Sequence, residues 1–186
     1  SYDETGAPVY NGTATPAINN ASGYKSNDPY SNRDPRLAAT VLYNGVNWGN
    51  GIINVLKGQR DNPQGNANAT PTGYYTRKYI PEVILNNNHT GSNYRNWIII
   101  RYAEILLSYA EALNNLTGPH TVELDGQPYT MSRDKEEIKK AFNQVRYRAG
   151  LPGLTANQLN STPEVQKQIE RERMVEFLWE NRRFYD

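Results

Sequence analysis

The stretch RYAEILLSYAEALN, Arg101 to Asn114, decides the fold. Together with Ile99, its residues Tyr102, Leu106, Tyr109 and Leu113 recur at spacings of three and four, which predicts one buried face of an α-helix. Ala103, Ala110 and Ala112 are small and admit a neighbouring helix closely, and Gly118-Pro119 ends the element. A helix of this kind needs helical partners, and two follow. The second is expected to begin at Ser132 as N-cap, with Asp134 and Glu136 near the positive end of its dipole. It buries Ile138, Phe142 and Val145 and ends at Gly150, with Pro152 beyond. The third is expected to begin at Thr162 as N-cap with Pro163 in its first position. It runs through Ile169, Met174, Phe177 and Leu178 to the chain end. The connections, roughly fifteen and thirteen residues, exceed the short turns of a regular helical array.

Upstream the grammar changes. Residues 1–96 are rich in Asn, Gly, Pro, Thr and Tyr and are read as a loop-rich subdomain with short strands; residues 97–186 form the helical part. Asn11-Gly12, Asn44-Gly45 and Asn50-Gly51 favour tight turns, because both residue types tolerate positive φ. Ala39–Tyr43 and Tyr74–Tyr79 are β-like, and 61–73 reads as a long loop. The chain starts at Ser1 without Met and stops at Asp186 inside a helical pattern, so both ends are read as cut.

Composition narrows the class. Mean hydropathy is −0.80, which hints at disorder, but 14 Tyr, 3 Trp and 3 Phe in 186 residues argue for a folded chain with polar-aromatic surfaces. The net charge of +1 is mixed along the sequence, without the basic stripe that phosphate neutralisation requires, so nucleic acid is not an expected partner. With no cysteine, disulfides and thiolate sites are excluded. No stretch has the ~20 apolar residues of a membrane span.

Catalytic patterns fail. Glu104 and Glu111 invite a glycosidase reading, but seven residues of helix rise about 10.5 Å, more than the roughly 5–9.5 Å that paired carboxyls need. Each is better read as a structural carboxylate facing an arginine. His89 and His120 lack ligand spacing, and Asp61-Asn62-Pro63 puts Pro63 at a ligand position of a would-be calcium loop. No cofactor, metal or catalytic residue is expected, and the chain is read as a non-enzyme. Glu172, Glu176 and Glu180 are spaced so that they repel. They call for a carboxylate–guanidinium lattice with Arg101, Arg146, Arg148, Arg173, Arg182 and Arg183.

Four segments, in order, resemble the C-terminal part of the SusD/RagB family. They are Asn32–Leu37 with Thr40-Val41, then Arg101–Asn114, Ala141–Pro152, and Ile169–Phe177 with Glu180, Arg183 and Asp186. The family's usual Gly after the last Glu is Asn181 here, and Asn tolerates left-handed backbone. The resemblance implies a mainly α fold with tetratricopeptide-like helix pairs and an irregular, loop-rich subdomain containing short β-strands. It implies an outer-membrane lipoprotein on the extracellular face, with signal and anchor outside this chain. Its implied partners are an oligo- or polysaccharide and a SusC-type TonB-dependent transporter, with non-catalytic nutrient capture as its task.

Sugar rings want flat aromatic faces flanked by amides and charged groups. Trp48, between glycines in a turn where nothing obvious buries it, is the leading candidate, with Tyr43, Asn47, Tyr74 and Tyr75 as further ligand contacts. Tyr24 and Tyr30 lie in similar settings, whereas Trp97 and Trp179 read as packing residues. The runner-up function is a helical-repeat module that docks the transporter with no ligand site of its own; a glycosidase comes third.

Overall fold

The computed structural model describes residues 3, 8–11, 17–49, 51–64, 66–80 and 98–182. Gly12, Asn50, His89, Trp97, Arg183 and Asp186, all invoked above, lie outside the described residues. The fold is mainly helical with short strands and has tetratricopeptide-like character. It divides into two compact units, Ser1–Pro35 with Ile98–Asp186, and Arg36–Trp97. This is not the division drawn at residue 96, because residues 1–35 group with the helices.

In the first unit, β1 (Tyr10–Asn11) pairs antiparallel with β2 (Ala17–Ile18). The short helix α1 (Arg36–Thr40) and strands β3 (Val41–Leu42), β4 (Asn47–Trp48), β5 (Gly51–Ile52) and β6 (Tyr75–Thr76) belong to the second unit. The helical core of the first unit is built from α2 (Tyr102–Asn114), α3 (Lys135–Arg148) and α5 (Thr162–Glu176), with the single turn α4 (Ala156–Leu159) against α5. Leu107, Ile138, Phe142, Val145, Val165 and Ile169 fill it.

The buried face of α2 is Ala103, Leu107, Ala110, Leu113 and Asn114. The expected face is therefore corrected: Ile99 is 74% and Tyr102 69% exposed, and Tyr109 is exposed as well. The helix is apolar on two sides, and α3 and α5 pack on the side where alanines let backbones approach. The α3 cap is Asp134, not Ser132; its carboxylate accepts from the N–H groups of Glu136 and Glu137 at 2.9 and 3.1 Å. The α5 cap is Ser161, not Thr162, which puts Pro163 at the second helical position, where its missing N–H still costs no bond.

Both long connections are structured. Strands β7 (His120–Leu124) and β8 (Gln127–Met131) form a hairpin. Its two-residue turn, Asp125-Gly126, has φ of 52° and 74°, as a primed turn demands. The link from α3 to α5 contains α4, started by a capping box between Thr155 and Gln158.

The end of α3 shows what its sequence motif does. Gly150 takes φ +74°; its N–H donates to the Tyr147 carbonyl and that of Leu151 to the Arg146 carbonyl, both at 3.0 Å. That is the Schellman arrangement. Arg146 Nε donates to the Pro152 carbonyl at 2.9 Å, and buried Asn143 Oδ1 accepts the Leu154 N–H at 2.9 Å. Likewise Asn114, at the end of α2, accepts from Arg133 at 2.9 Å and donates to the Thr162 carbonyl at 3.0 Å.

The expected lattice is present. Arg101 grips Glu180 through two bonds of 2.8 and 2.9 Å and Glu176 through one of 2.7 Å. Arg148 also pairs with Glu176, Arg146 with Glu172 at 3.2 Å, and Arg182 with Glu104 at 2.9 Å. Burial works to lower the Arg101 pKa, but the bonds and charges of Glu180 and Glu176 reverse this and raise it. Arg173 instead lies over the Phe177 ring. The helix stops at Glu176 rather than running to the chain end. Trp179 and Asn181 take φ of 64° and 58°, and this turn, not a further helical turn, returns Glu180 to Arg101. Trp179 is left 39% exposed, so its expected packing role is corrected.

Three substitutions test this scaffold. Arg101→Gln removes the charge that bridges the buried Glu176 and Glu180 carboxylates and is expected to cost about 3–5 kcal/mol in urea unfolding. Arg148→Ala, whose side chain is 60% exposed, is expected to cost about 1 kcal/mol or less. In Gly153→Ala the new methyl lies 2.3 Å from the Asn143 amide. Displacing that amide orphans the Leu154 N–H, a loss of roughly 1–3 kcal/mol by the same measurement.

Candidate functional site

The second unit is too poor in apolar residues for a large core and uses a small one. Strand β3 pairs with β6, placing Leu42 opposite Tyr75, and β4 pairs with β5 through Trp48 and Gly51. Leu42, Trp48 and Ile53 form the buried cluster, with Val46, Val55 and Tyr75 packed on it. Side-chain amides and a carboxylate replace the missing sheet. Asn44 Oδ1 accepts the Val55 N–H at 3.1 Å, Asn62 Nδ2 donates to the Val55 carbonyl at 2.9 Å, and Asp61 accepts the Asn54 N–H at 2.8 Å.

Within this unit lies a cleft of about 470 Å³, a volume suited to small ligands. Leu42, Trp48, Ile53, Tyr75 and Ile80 make its apolar wall; Arg60, Asp61, Thr70 and Thr76 supply polar groups. Arg60 and Asp61 form a two-point ion pair, with both bonds at 3.0 Å. The hydrogen bond from Arg60 holds the Asp61 carboxyl below its usual 3.8 and raises Arg60 in turn. Tyr75 donates its hydroxyl to the Asp61 carbonyl at 3.2 Å, which fixes the ring at the cleft wall.

Of the five residues singled out from sequence, Trp48 and Tyr75 line this cleft; Tyr43, Asn47 and Tyr74 are not among its lining residues. Trp48 is only 8% exposed, against the expectation that nothing buries it. The Arg77 guanidinium sits 4.9 Å from its ring centroid, and the cluster with Leu42 and Ile53 takes the rest. Asn47 and Tyr74 are exposed and Tyr43 is half-buried. Arg60 and Asp61 were missed as site residues. One signal pointed to them: Asp61 is the only carboxylate between Asp34 and Glu82.

The carboxylates that invited a glycosidase reading have separate partners in the first unit. Glu104 pairs with Arg182, and Glu111 accepts from Gln166 Nε2 at 2.9 Å.

A SusD-like protein from Bacteroides fragilis matches over 98% of this chain at 31% identity, with a TM-score of 0.67. A SusD-like carbohydrate binding protein from the same organism matches over 99% at 24% identity, with a TM-score of 0.68. The chain spans 32% of the length of each of these two structures. No curated protein matches it. Residues 8–186 match the SusD family profile, and the chain belongs to that family.

Proposed function

We propose that this chain is part of a non-catalytic, glycan-capturing protein of the outer cell surface, anchored by an N-terminal lipid and serving a SusC-type TonB-dependent transporter. Membership of the SusD family supports this, as does one solved relative described as carbohydrate binding. The observation that carries it is the cleft, where the Trp48 and Tyr75 rings stand beside the Arg60–Asp61 pair. Apolar ring faces meet the C–H faces of a sugar, and the ion pair meets its hydroxyls. Tyr43, Asn47 and Tyr74 are proposed as flanking contacts for a longer glycan.

The same cleft is poorly equipped for hydrolysis. Among the described residues Asp61 is its only lining carboxylate, whereas glycoside cleavage generally takes two. Its pKa is also lowered, where a general acid needs it raised. Among the described residues no helix is long and apolar enough to cross a membrane, so attachment through a lipid is the membrane contact proposed.

A second reading, a helical surface that docks the transporter, is favoured by one observation. Tyr102, Ile105 and Tyr109 expose a second apolar stripe along α2, with Ile99 and Ile100 just before it. A helix apolar on both sides is built to be covered twice.

Affinity electrophoresis through polysaccharide gels separates the readings. One glycan should retard the chain, and Arg60→Ala, at a mostly exposed position, should weaken binding about 10-fold or more. Trp48→Ala should abolish it, provided circular dichroism shows the variant folded. A folded chain retarded by no glycan removes the Trp48 cleft as a glycan site and favours the docking reading. Because Asp61 ionises below 3.8 when folded, its contribution is fully present above that pH and lost as pH falls through the lowered value. Retardation should therefore be flat from neutral pH to about 4.5.

A further inference from the structure

The first unit carries a second cleft, of about 430 Å³, that the proposed function does not use. Its floor is apolar, made by Pro8, Phe142, Pro152 and Leu154, and its wall is the face of α5 bearing Glu164, Gln168 and Arg171. Those three residues follow at spacings of four and three and so share one face. Gln158 reaches in from α4.

What distinguishes the cleft is the set of polar groups left over. Arg171 is half-buried, yet no hydrogen bond or ion pair engages it among the described residues. Gln158 uses its carbonyl oxygen to accept from the Thr155 N–H and hydroxyl at 2.8 and 2.9 Å, which leaves its amide N–H groups free. Gln168 donates to Glu164 at 2.7 Å, which leaves its own oxygen and the second Glu164 oxygen as acceptors. Arg146 also lines the cleft but is committed to Glu172 and the Pro152 carbonyl. Its charge is balanced from behind.

The site is therefore dipolar, with a guanidinium unpaired among the described residues at one end and a carboxylate at the other. They are separated by seven residues of helix, about 10.5 Å of rise. A half-buried guanidinium without a partner is a two-point receptor for a carboxylate. An anion fits only at that end, because Glu164 repels it at the other. The Gln158 amide, the Gln168 oxygen and Glu164 suit hydroxyl groups, and the prolines and Leu154 offer a flat apolar surface for C–H faces.

We propose that this cleft binds an acidic sugar, a hexuronic acid residue of an oligosaccharide, with its carboxylate on Arg171 and its hydroxyls on Gln158, Gln168 and Glu164. The sugar class rests on the saccharide-binding reading above; the acidic group rests on Arg171 alone. The site is separate from the Trp48 cleft, and each binds without the other.

Isothermal titration calorimetry with the galacturonic acid dimer, the neutral galactose dimer and acetate tests this on the whole chain. The acidic dimer should bind at least 10-fold more tightly than the neutral one. Arg171→Met should remove that preference, Gln158→Ala should weaken binding several-fold, and Lys140→Ala, at an exposed α3 position lining neither cleft, should leave it unchanged. Circular dichroism on each variant checks the fold. No binding of the acidic dimer, equal binding of both dimers, or equal competition by acetate overturns the assignment, as does an unaffected Arg171→Met. If this binding survives while Arg60→Ala and wild type both fail in the polysaccharide gels, the Trp48 cleft fails alone; the reverse pattern sinks only the Arg171 site.

Discussion

One guanidinium organises the helical unit. Arg101 stands just before α2 and bonds to two carboxylates, Glu176 at the end of α5 and Glu180 in the turn beyond. Two buried carboxylates close enough to share a cation repel strongly in a weakly polar interior. The bonds from Arg101 to Glu180 help to offset the strain of the turn through Trp179, whose φ is positive. With them, the chain after α5 doubles back, and Arg182 reaches Glu104 on α2. The apolar core supplies the driving force. The charge lattice decides which residues of α2, α3 and α5 face one another, since an apolar interface tolerates slippage that an unpaired buried charge does not.

The segments that betray the family are chiefly parts of this construction, and none of them lines the Trp48 cleft. Asn114 joins the end of α2 to the start of α5, Asn143 receives the Leu154 N–H, and Gly150 closes α3 in left-handed geometry. Asn181, where the family has Gly, takes φ 58°, so the departure keeps the backbone the position requires. Residues of this kind record how the chain is folded. The Trp48 cleft does not depend on them for its polar groups, since Arg60 and Asp61 lie outside the motifs; at the second cleft Gln158 lies outside them and Arg171 within Ile169–Phe177.

The helices were legible because their period and stops are local. α3 is read correctly at Ile138, Phe142 and Val145, whose spacing admits one buried face. α2 was misread because two apolar stripes run along it, and periodicity does not say which one neighbours will cover; the alanines did. The hairpin was signalled by Asp125-Gly126 between alternating strands and overlooked because its residues are mostly exposed, so no hydrophobic run announced it. The lattice was legible from charge spacing, although Glu180 arrives by a turn and not by the helix. Trp48 and Tyr75 were legible as aromatics in a turn-rich segment. What sequence could not show is that Arg77 covers a face of Trp48, or that Arg60 and Asp61 stand at the same cleft, because those depend on loop paths set by single side-chain bonds.

That dependence explains the odd composition. A chain of mean hydropathy −0.80 cannot order long loops by burial alone, since each residue fixed costs about 1–2 kcal/mol of backbone entropy. In the second unit Asn44, Asn62, Asn66 and Asp61 bond backbone groups that no strand satisfies. Asparagine serves because its amide both donates and accepts within a few residues of its own backbone. Among the described residues, loops tied in this way have four buried apolar side chains beneath them, Val41, Leu42, Trp48 and Ile53. A change at the cleft rim then alters one local bond set and leaves the helical core as it was.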